Sequence, residues 1–267
     1  MTKHPSATVE FRRVAQRLRD AVTGGTYEPG SRLPAAADLA EHLGCTRSAV
    51  ERAVRVAAAE GLVTTRKGSG AYVSRLLKRI TRQTTGLLRA GGDGEADGFG
   101  EALEAELRAL GLVARHFPDV RTERAPQDLA ALLGLKRSGQ NVLVRDTRTF
   151  AVAAGAAPTD PGTPVQLAVT YLPLDIARHT ALEDPDPGPR GVRGLLADLG
   201  HRPTDFSETI DVRPPREDEA AALEIDPDNR VIQLTRTAAT ADRAVEVTVS
   251  VLPAHLWSLS YRWTTAS

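Results

Sequence analysis

A single cysteine, Cys45, excludes an internal disulfide. Aromatic residues make up 4% of the chain, too few for the stacking platforms that bind RNA or single-stranded DNA. No apolar run approaches the about 20 residues that a membrane helix needs. Met1 to Thr8 lack the apolar stretch of a signal peptide, so the cytoplasm is the simplest compartment. The histidines (His4, His42, His116, His179, His201 and His255) are too scattered to supply a metal pair at helical spacing. Neither a nucleophile elbow nor a phosphate-cradling loop is found, so no catalytic residue, metal or cofactor is expected. Net charge is also absent, but only as an average. Residues 1–90 hold 16 Lys and Arg against 7 Asp and Glu, and the remainder holds 18 against 27. A basic amino-terminal block attracts phosphate, and an acidic remainder does not.

What is present is a packed chain of 267 residues, 41% hydrophobic and 25% charged, long enough for about two domains. Its most informative stretch is 33–73. After Leu33-Pro34 the spacing predicts a short helix over 38–43, a turn at Gly44-Cys45 and a second helix over 46–59 with Thr46 as its N-cap. Gly61 stops that helix, and two short strands, 62–65 and 71–74, flank Arg66-Lys67-Gly68-Ser69-Gly70. An amphipathic helix over 10–24 precedes them. The order is a helix-turn-helix followed by a wing, with a helix sized for the major groove of double-stranded DNA. Thr46, Arg47 and Ser48 open that helix, where backbone N–H groups meet phosphate. Arg47 is the expected base or phosphate contact, Arg52 lies further along, and Arg55 is expected to pair with Glu51. Arg66 and Lys67 add charge on the wing, whose glycines let the backbone approach the groove.

Residues 76–98 read as a linker, basic at first and ending in Gly91-Gly92-Asp93-Gly94-Glu95-Ala96-Asp97-Gly98. Beyond it the pattern predicts helices over 99–110, 126–133, 192–199 and 216–223. Strands are predicted over 141–152, 164–172, 204–212, 231–238 and 244–252, the last two as a hairpin. This is an α+β arrangement around an antiparallel sheet. Alternation along the strands puts Asp146 and Arg148 on the side of Val142, Val144 and Phe150, Glu208 on the side of Phe206 and Ile210, and Arg236 on the side of Ile232 and Leu234. Ionised groups on apolar faces are either paired internally, as Asp146 or Glu208 with Arg148 or Arg236, or line a polar pocket. Glu246 alternates with Val245 and Val247, so parity alone places it on a solvated face.

Residues 9–75 resemble the DNA-binding domain of the GntR family of bacterial transcription regulators. The resemblance rests on Tyr27-Glu28-Pro29-Gly30-Ser31-Arg32-Leu33-Pro34, Leu39-Ala40, Leu43-Gly44, Arg47, Val50, Ala53, Glu60-Gly61-Leu62 and Arg66 to Gly70. It implies DNA contacts from Arg32, Thr46, Arg47, Ser48, Arg52, Arg66, Lys67, Gly68, Ser69 and Gly70. Where the family commonly has Ser-Glu-Arg this chain has Ala35-Ala36-Ala37, and Glu51 replaces a common arginine, which implies weaker affinity or an unusual operator. Cys45 stands where valine is usual.

Residues 99–263 resemble the UTRA effector domain of the HutC-like branch of that family. The residues that carry this are Arg145-Asp146-Thr147-Arg148, Pro164 to Leu167, Thr170-Tyr171-Leu172-Pro173, Gly200-His201, Glu208, Arg213-Pro214, Glu219-Ala220, Leu234-Thr235-Arg236, Val245-Glu246 and Leu252-Pro253. The resemblance implies a chorismate-lyase-like fold, homodimerisation, and a small, often anionic metabolite near Arg148, Thr170, Tyr171, Glu208, Arg236 and Glu246. The usual arginine pair spaced by one residue is incomplete, which makes a phosphorylated sugar less secure as the ligand. The reading is a ligand-controlled regulator, in the repressor sense, bound as a dimer to a pseudo-palindromic operator. Two other readings stand beside it: a DNA-organising protein without an effector, and an enzyme with a DNA-binding appendage.

Overall fold

The computed structural model describes residues 7–66, 69–83, 100–135 and 139–261, which divide into two compact units. The first unit gathers the amino-terminal residues up to Arg79 with Pro214–Arg230 and Pro253–Leu256. Helix α1 (Ala7–Thr23) buries Val14, Leu18 and Val22, one stripe at intervals of four. Helix α2 (Ala36–Leu43) ends at Gly44, whose left-handed backbone (φ 60°, ψ 47°) turns the chain into α3 (Arg47–Ala59). Val14, Leu39, Ala49, Val50 and Ala53 close the helical core. Cys45 packs partly buried against it, and burial, followed by the nearby Glu10, raises its thiol pKa. A less ionised thiol is a poorer redox centre. Strands β1 (Val63–Arg66) and β2 (Gly70–Val73) form an antiparallel wing, and Val63 and Val73 share a core with Leu18, Leu33 and Ala57. Gly61 has φ 78°, and a Cβ there would run into the His255 ring. Thr65 donates its hydroxyl to Asp226 at 2.7 Å.

The second unit is built on a six-stranded sheet. Its elements in chain order are β3 (Ile80–Gln83), α4 (Gly100–Ala109), β4 (Leu112–Arg124), α5 (Gln127–Leu132), β5 (Asn141–Ala153), β6 (Thr163–Pro173), α6 (Leu174–Ala177), a 3-10 turn (Ala181–Glu183), α7 (Gly191–Asp198) and β7 (Asp205–Arg213). Helix α8 (Glu217–Ala222) belongs to the first unit, and β8 (Val231–Ala239), β9 (Ala244–Pro253) and β10 (Trp257–Ser260) follow. The strand order is β4-β5-β6-β9-β8-β7. On one face Val142, Val144 and Val247 pack against Leu129, Ala130 and Leu133 around α5. On the other, Leu143, Leu172 and Val245 pack against Ile176, Ala177, Leu182 and Leu196, from α6, the 3-10 turn and α7. The α+β reading with an antiparallel sheet holds.

Three strands were not foreseen. Strand β4 carries Pro118 and five charged residues among its thirteen, a pattern that suits only a sheet edge, where the missing N–H and the charges face outward. Strand β3 lies inside the stretch read as linker, and it pairs in parallel with β10, Ile80 opposite Trp257. Trp257 anchors that pair, buried and donating its indole N–H to the Val165 carbonyl at 2.7 Å. The rest of the expected linker, 84–98, lies outside the described residues.

Candidate operator interface and effector site

The start of α3 is the exposed polar corner of the first unit. Thr46 caps the helix by accepting the Ala49 N–H at 3.2 Å, and Thr46, Arg47 and Ser48 all face solvent. Glu10, in the first turn of α1, reaches across to this corner. Its carboxylate accepts the Thr46 N–H at 3.1 Å and the Thr46 hydroxyl at 3.3 Å. Arg47 is 71% exposed, and its Nε–H donates to Glu51 at 2.8 Å. Glu51 is therefore paired with Arg47, one turn before it, and not with Arg55 as expected. The Arg52 guanidinium lies over the Phe11 ring of α1, 4.1 Å from its centre. Arg32 is exposed and joins the wing through a backbone bridge to Tyr72; its guanidinium lies beside Gly70, whose φ of 101° is open to glycine. Ser69 is tied to the Tyr72 hydroxyl at 2.7 Å. Ala35 precedes α2 without a side-chain cap, so that helix start lacks the usual oxygen.

The second unit carries a buried polar row across the face that α7 covers. Register sets Arg145 opposite Thr170, and Thr170 opposite Thr248. The Arg145 guanidinium donates to the carbonyls of Leu182, Asp184 and Pro185 at 2.6, 2.6 and 2.9 Å, which pins the loop after the 3-10 turn to the sheet. The hydroxyls of Thr170 and Thr248 are 2.9 Å apart, and Thr248 donates to Glu246 at 2.9 Å. Glu246, 3% exposed, pairs at 2.9 Å with Arg236, 8% exposed. Arg236 stands opposite Glu208 in the β7–β8 register. The Glu208 carboxylate takes both terminal nitrogens of Arg82 at 2.7 and 2.5 Å, and accepts the Tyr261 hydroxyl at 3.1 Å. Arg82 is 3% exposed and sits on β3. The row thus runs from the residues next to α7 to β3, with Arg236 and Arg82 each matched by a carboxylate and Arg145 by three backbone carbonyls.

The sequence pattern of the gntR family of bacterial regulatory proteins matches residues 11–73, and that of the UTRA domain matches residues 160–256. An HTH-type transcriptional regulator of Streptomyces coelicolor is 31% identical over 261 residues, spanning 94% of this chain and 91% of its own length. The chain belongs to the GntR family. It is a DNA-binding transcription regulator with a carboxy-terminal effector domain. The Uxu operon transcriptional regulator of Escherichia coli K12 is 37% identical over 73 residues, 27% of this chain and 28% of that one. Among solved structures, PhnF from Mycobacterium smegmatis aligns with a TM-score of 0.53 at 22% identity, covering 95% of this chain and 100% of its own. The effector domain of PhnF alone gives 0.50 at 23%, covering 66% and 99%. At these identities the likeness is one of fold.

In this GntR regulator the expected DNA set falls together at two places. Thr46, Arg47, Ser48 and Arg52 lie on α3, and Arg32, Ser69 and Gly70 lie on or beside the wing; Arg66 ends β1, and Lys67 and Gly68 lie outside the described residues. The expected effector set divides. Thr170, Glu208, Arg236 and Glu246 belong to the buried row. Arg148 is exposed, and it and Tyr171 belong to the opposite face, because the register that pairs Arg145 with Thr170 sends their neighbours the other way. Tyr171 packs instead with the α5 core, and burial, then Glu123 and Asp146, raises its pKa. Glu246 is buried rather than on a solvated face. The internal pairs also differ from those expected: Glu208 takes Arg82, Arg236 takes Glu246, and Asp146 lies 3.5 Å from Arg121. Sequence reading missed Arg82 because it sits in a stretch whose charge and glycine content resemble a solvated tether. Its single signal is the alternation Ile80-Thr81-Arg82-Gln83 after two leucines.

Proposed function

We propose that the protein is a cytoplasmic homodimeric repressor, without catalytic activity of its own, whose grip on a pseudo-palindromic operator is set by a small polar metabolite. The metabolite's place in this reading is the α7-covered face, with Thr170, Glu208, Arg236 and Glu246 from the expected set and Arg145 and Arg82 added. Arg148 and Tyr171 are set aside. The observation that carries the proposal is the position of Arg82. It joins the strand that follows the DNA-binding unit to the carboxylate opposite Arg236. An anionic group that takes Arg236 from Glu246 disturbs the same row that fixes β3, so binding energy has a route to the linker.

The test is a selection of bound fragments from the source genome, followed by titration of the selected duplex. Arg47→Ala is expected to lower affinity by about 1–3 kcal/mol if Arg47 reads a base. A protein that selects no fragment, with Arg47→Ala changing nothing, sinks the operator reading. A melting screen against small carboxylates and phosphate esters then tests the effector. A true ligand at about a hundred times its dissociation constant stabilises by about 2.7 kcal/mol, and Arg236→Ala removes that gain.

A further inference from the structure

The first four N–H groups of a helix have no partner within it, and at the start of a recognition helix they are the natural seat for a DNA phosphate. In this chain that seat is already occupied from within. The Glu10 carboxylate holds both the N–H and the hydroxyl of Thr46, and Glu51 holds Arg47 one residue on. Two adjacent donors of the reading corner thus face carboxylates of the same molecule. Glu10 stands in the first turn of α1, where that helix's own dipole favours an acid, so its charge has a local cause; its reach to Thr46 across 36 residues of sequence does not follow from that cause. The bonds are 3.1 and 3.3 Å, longer than the about 2.7–2.9 Å of a strong charge-assisted contact, so a phosphate can displace them.

We infer that Glu10 is a residue that restrains DNA affinity: an internal stand-in for phosphate that holds Thr46 in the absence of DNA and makes every duplex displace it before the α3 corner can be used. Contacts to phosphate supply most non-specific affinity, and contacts to base edges supply discrimination. A carboxylate that competes with phosphate subtracts equally from all duplexes. It therefore removes most of the weak, sequence-independent binding, while an operator with matching bases retains enough to bind. Glu51 acts on Arg47 in the same sense. The inference rests on the DNA-binding function and adds to it which residue restrains that binding.

The experiment measures affinity for a random-sequence 30-base-pair duplex across a salt series, with the full chain and three variants. Glu10→Gln removes the charge and leaves an oxygen that can still accept. It is expected to bind the random duplex about fivefold more tightly at low salt, with the salt slope steeper by about one unit, one further phosphate engaged. Glu10→Asp keeps the charge but shortens the reach, and it is expected to tighten binding about twofold through release of Thr46. Glu28→Gln is the charge-matched control elsewhere in the unit and is expected to give a smaller gain than either. Melting curves accompany each variant, and a destabilised Glu10→Gln leaves Glu10→Asp to decide. Unchanged or weaker binding in both Glu10 variants overturns the inference, as does an equal gain from Glu28→Gln, which reduces the effect to net charge. Salt-sensitive binding by the unaltered chain is the separate readout for DNA binding itself, so the two failures are distinguishable.

Discussion

His255 shows how one side chain turns position into a condition for stability. Its ring packs on Gly61, and burial, followed by the nearby Arg79 charge, lowers its pKa from 6.5 to about 4. The folded protein therefore holds a neutral imidazole where the unfolded chain takes a proton near pH 6.5. The unfolded state binds more protons as pH falls, so stability from this group is complete above about pH 6.5 and declines towards pH 4. The slope from one such proton is at most about 1.4 kcal/mol per pH unit. Urea denaturation at pH 7, 6 and 5 is expected to show that loss, and His255→Gln is expected to flatten this part of the profile. A variant with an unaltered slope would show that the loss comes from other groups. The same contact explains Gly61. The backbone there needs a positive φ and the ring leaves no room for a methyl, so two independent reasons select glycine at the end of α3.

At the scale of elements, the strand β3 is held to its unit by charge as well as by its ladder with β10. Arg82→Met leaves the Glu208 carboxylate largely buried without its bidentate partner, and breaking such a pair costs about 3–5 kcal/mol. Glu208 retains the Tyr261 hydroxyl, so the lower end of that range is expected. Adding Glu208→Leu to Arg82→Met is expected to recover most of the loss in urea denaturation, because the uncompensated charge goes with it. Additive losses from the two changes would show that the pair does not act as a unit. This pair also marks where sequence reading stops. The helix-turn-helix was legible almost residue by residue, since its signals are local: Thr46 as a cap, Gly44 and Gly61 as stops, and apolar spacing along α3. Parity grouped Val142 with Val144 correctly, but it also grouped Val245 with Val247, which pack on opposite faces, and it put Glu246 towards solvent. It could not say which face of one strand continues into which face of the next. That depends on register, and register separated Arg148 and Tyr171 from Thr170. Edge strands escaped for a related reason. Exposure frees β4 from apolar alternation, and Pro118 there is a breaker in sequence but harmless at an open edge.

At the scale of the whole molecule, the reading corner at α3 is small and partly neutralised by its own carboxylates. Neither Ala37 nor Glu51 adds a cation, and Arg47 is shared with Glu51. One such corner offers few cations to phosphate, and the proposed dimer would set two of them on one duplex. Joining two binding units makes the second contact intramolecular, and this raises overall affinity by about a hundredfold to ten-thousandfold without any new interaction. It does so only when both half-sites face the same side of the helix, one turn or a whole number of turns apart. A selected operator is therefore expected to be two-fold symmetric in its footprint. Inserting about five base pairs between its halves, roughly half a turn, is expected to reduce affinity on the order of a hundredfold, and inserting about ten to restore part of it. Gel-shift titration of the three duplexes reads this directly. Equal affinity for all three, or for an isolated half-site, would mean that a single corner suffices and would sink the proposed dimeric reading.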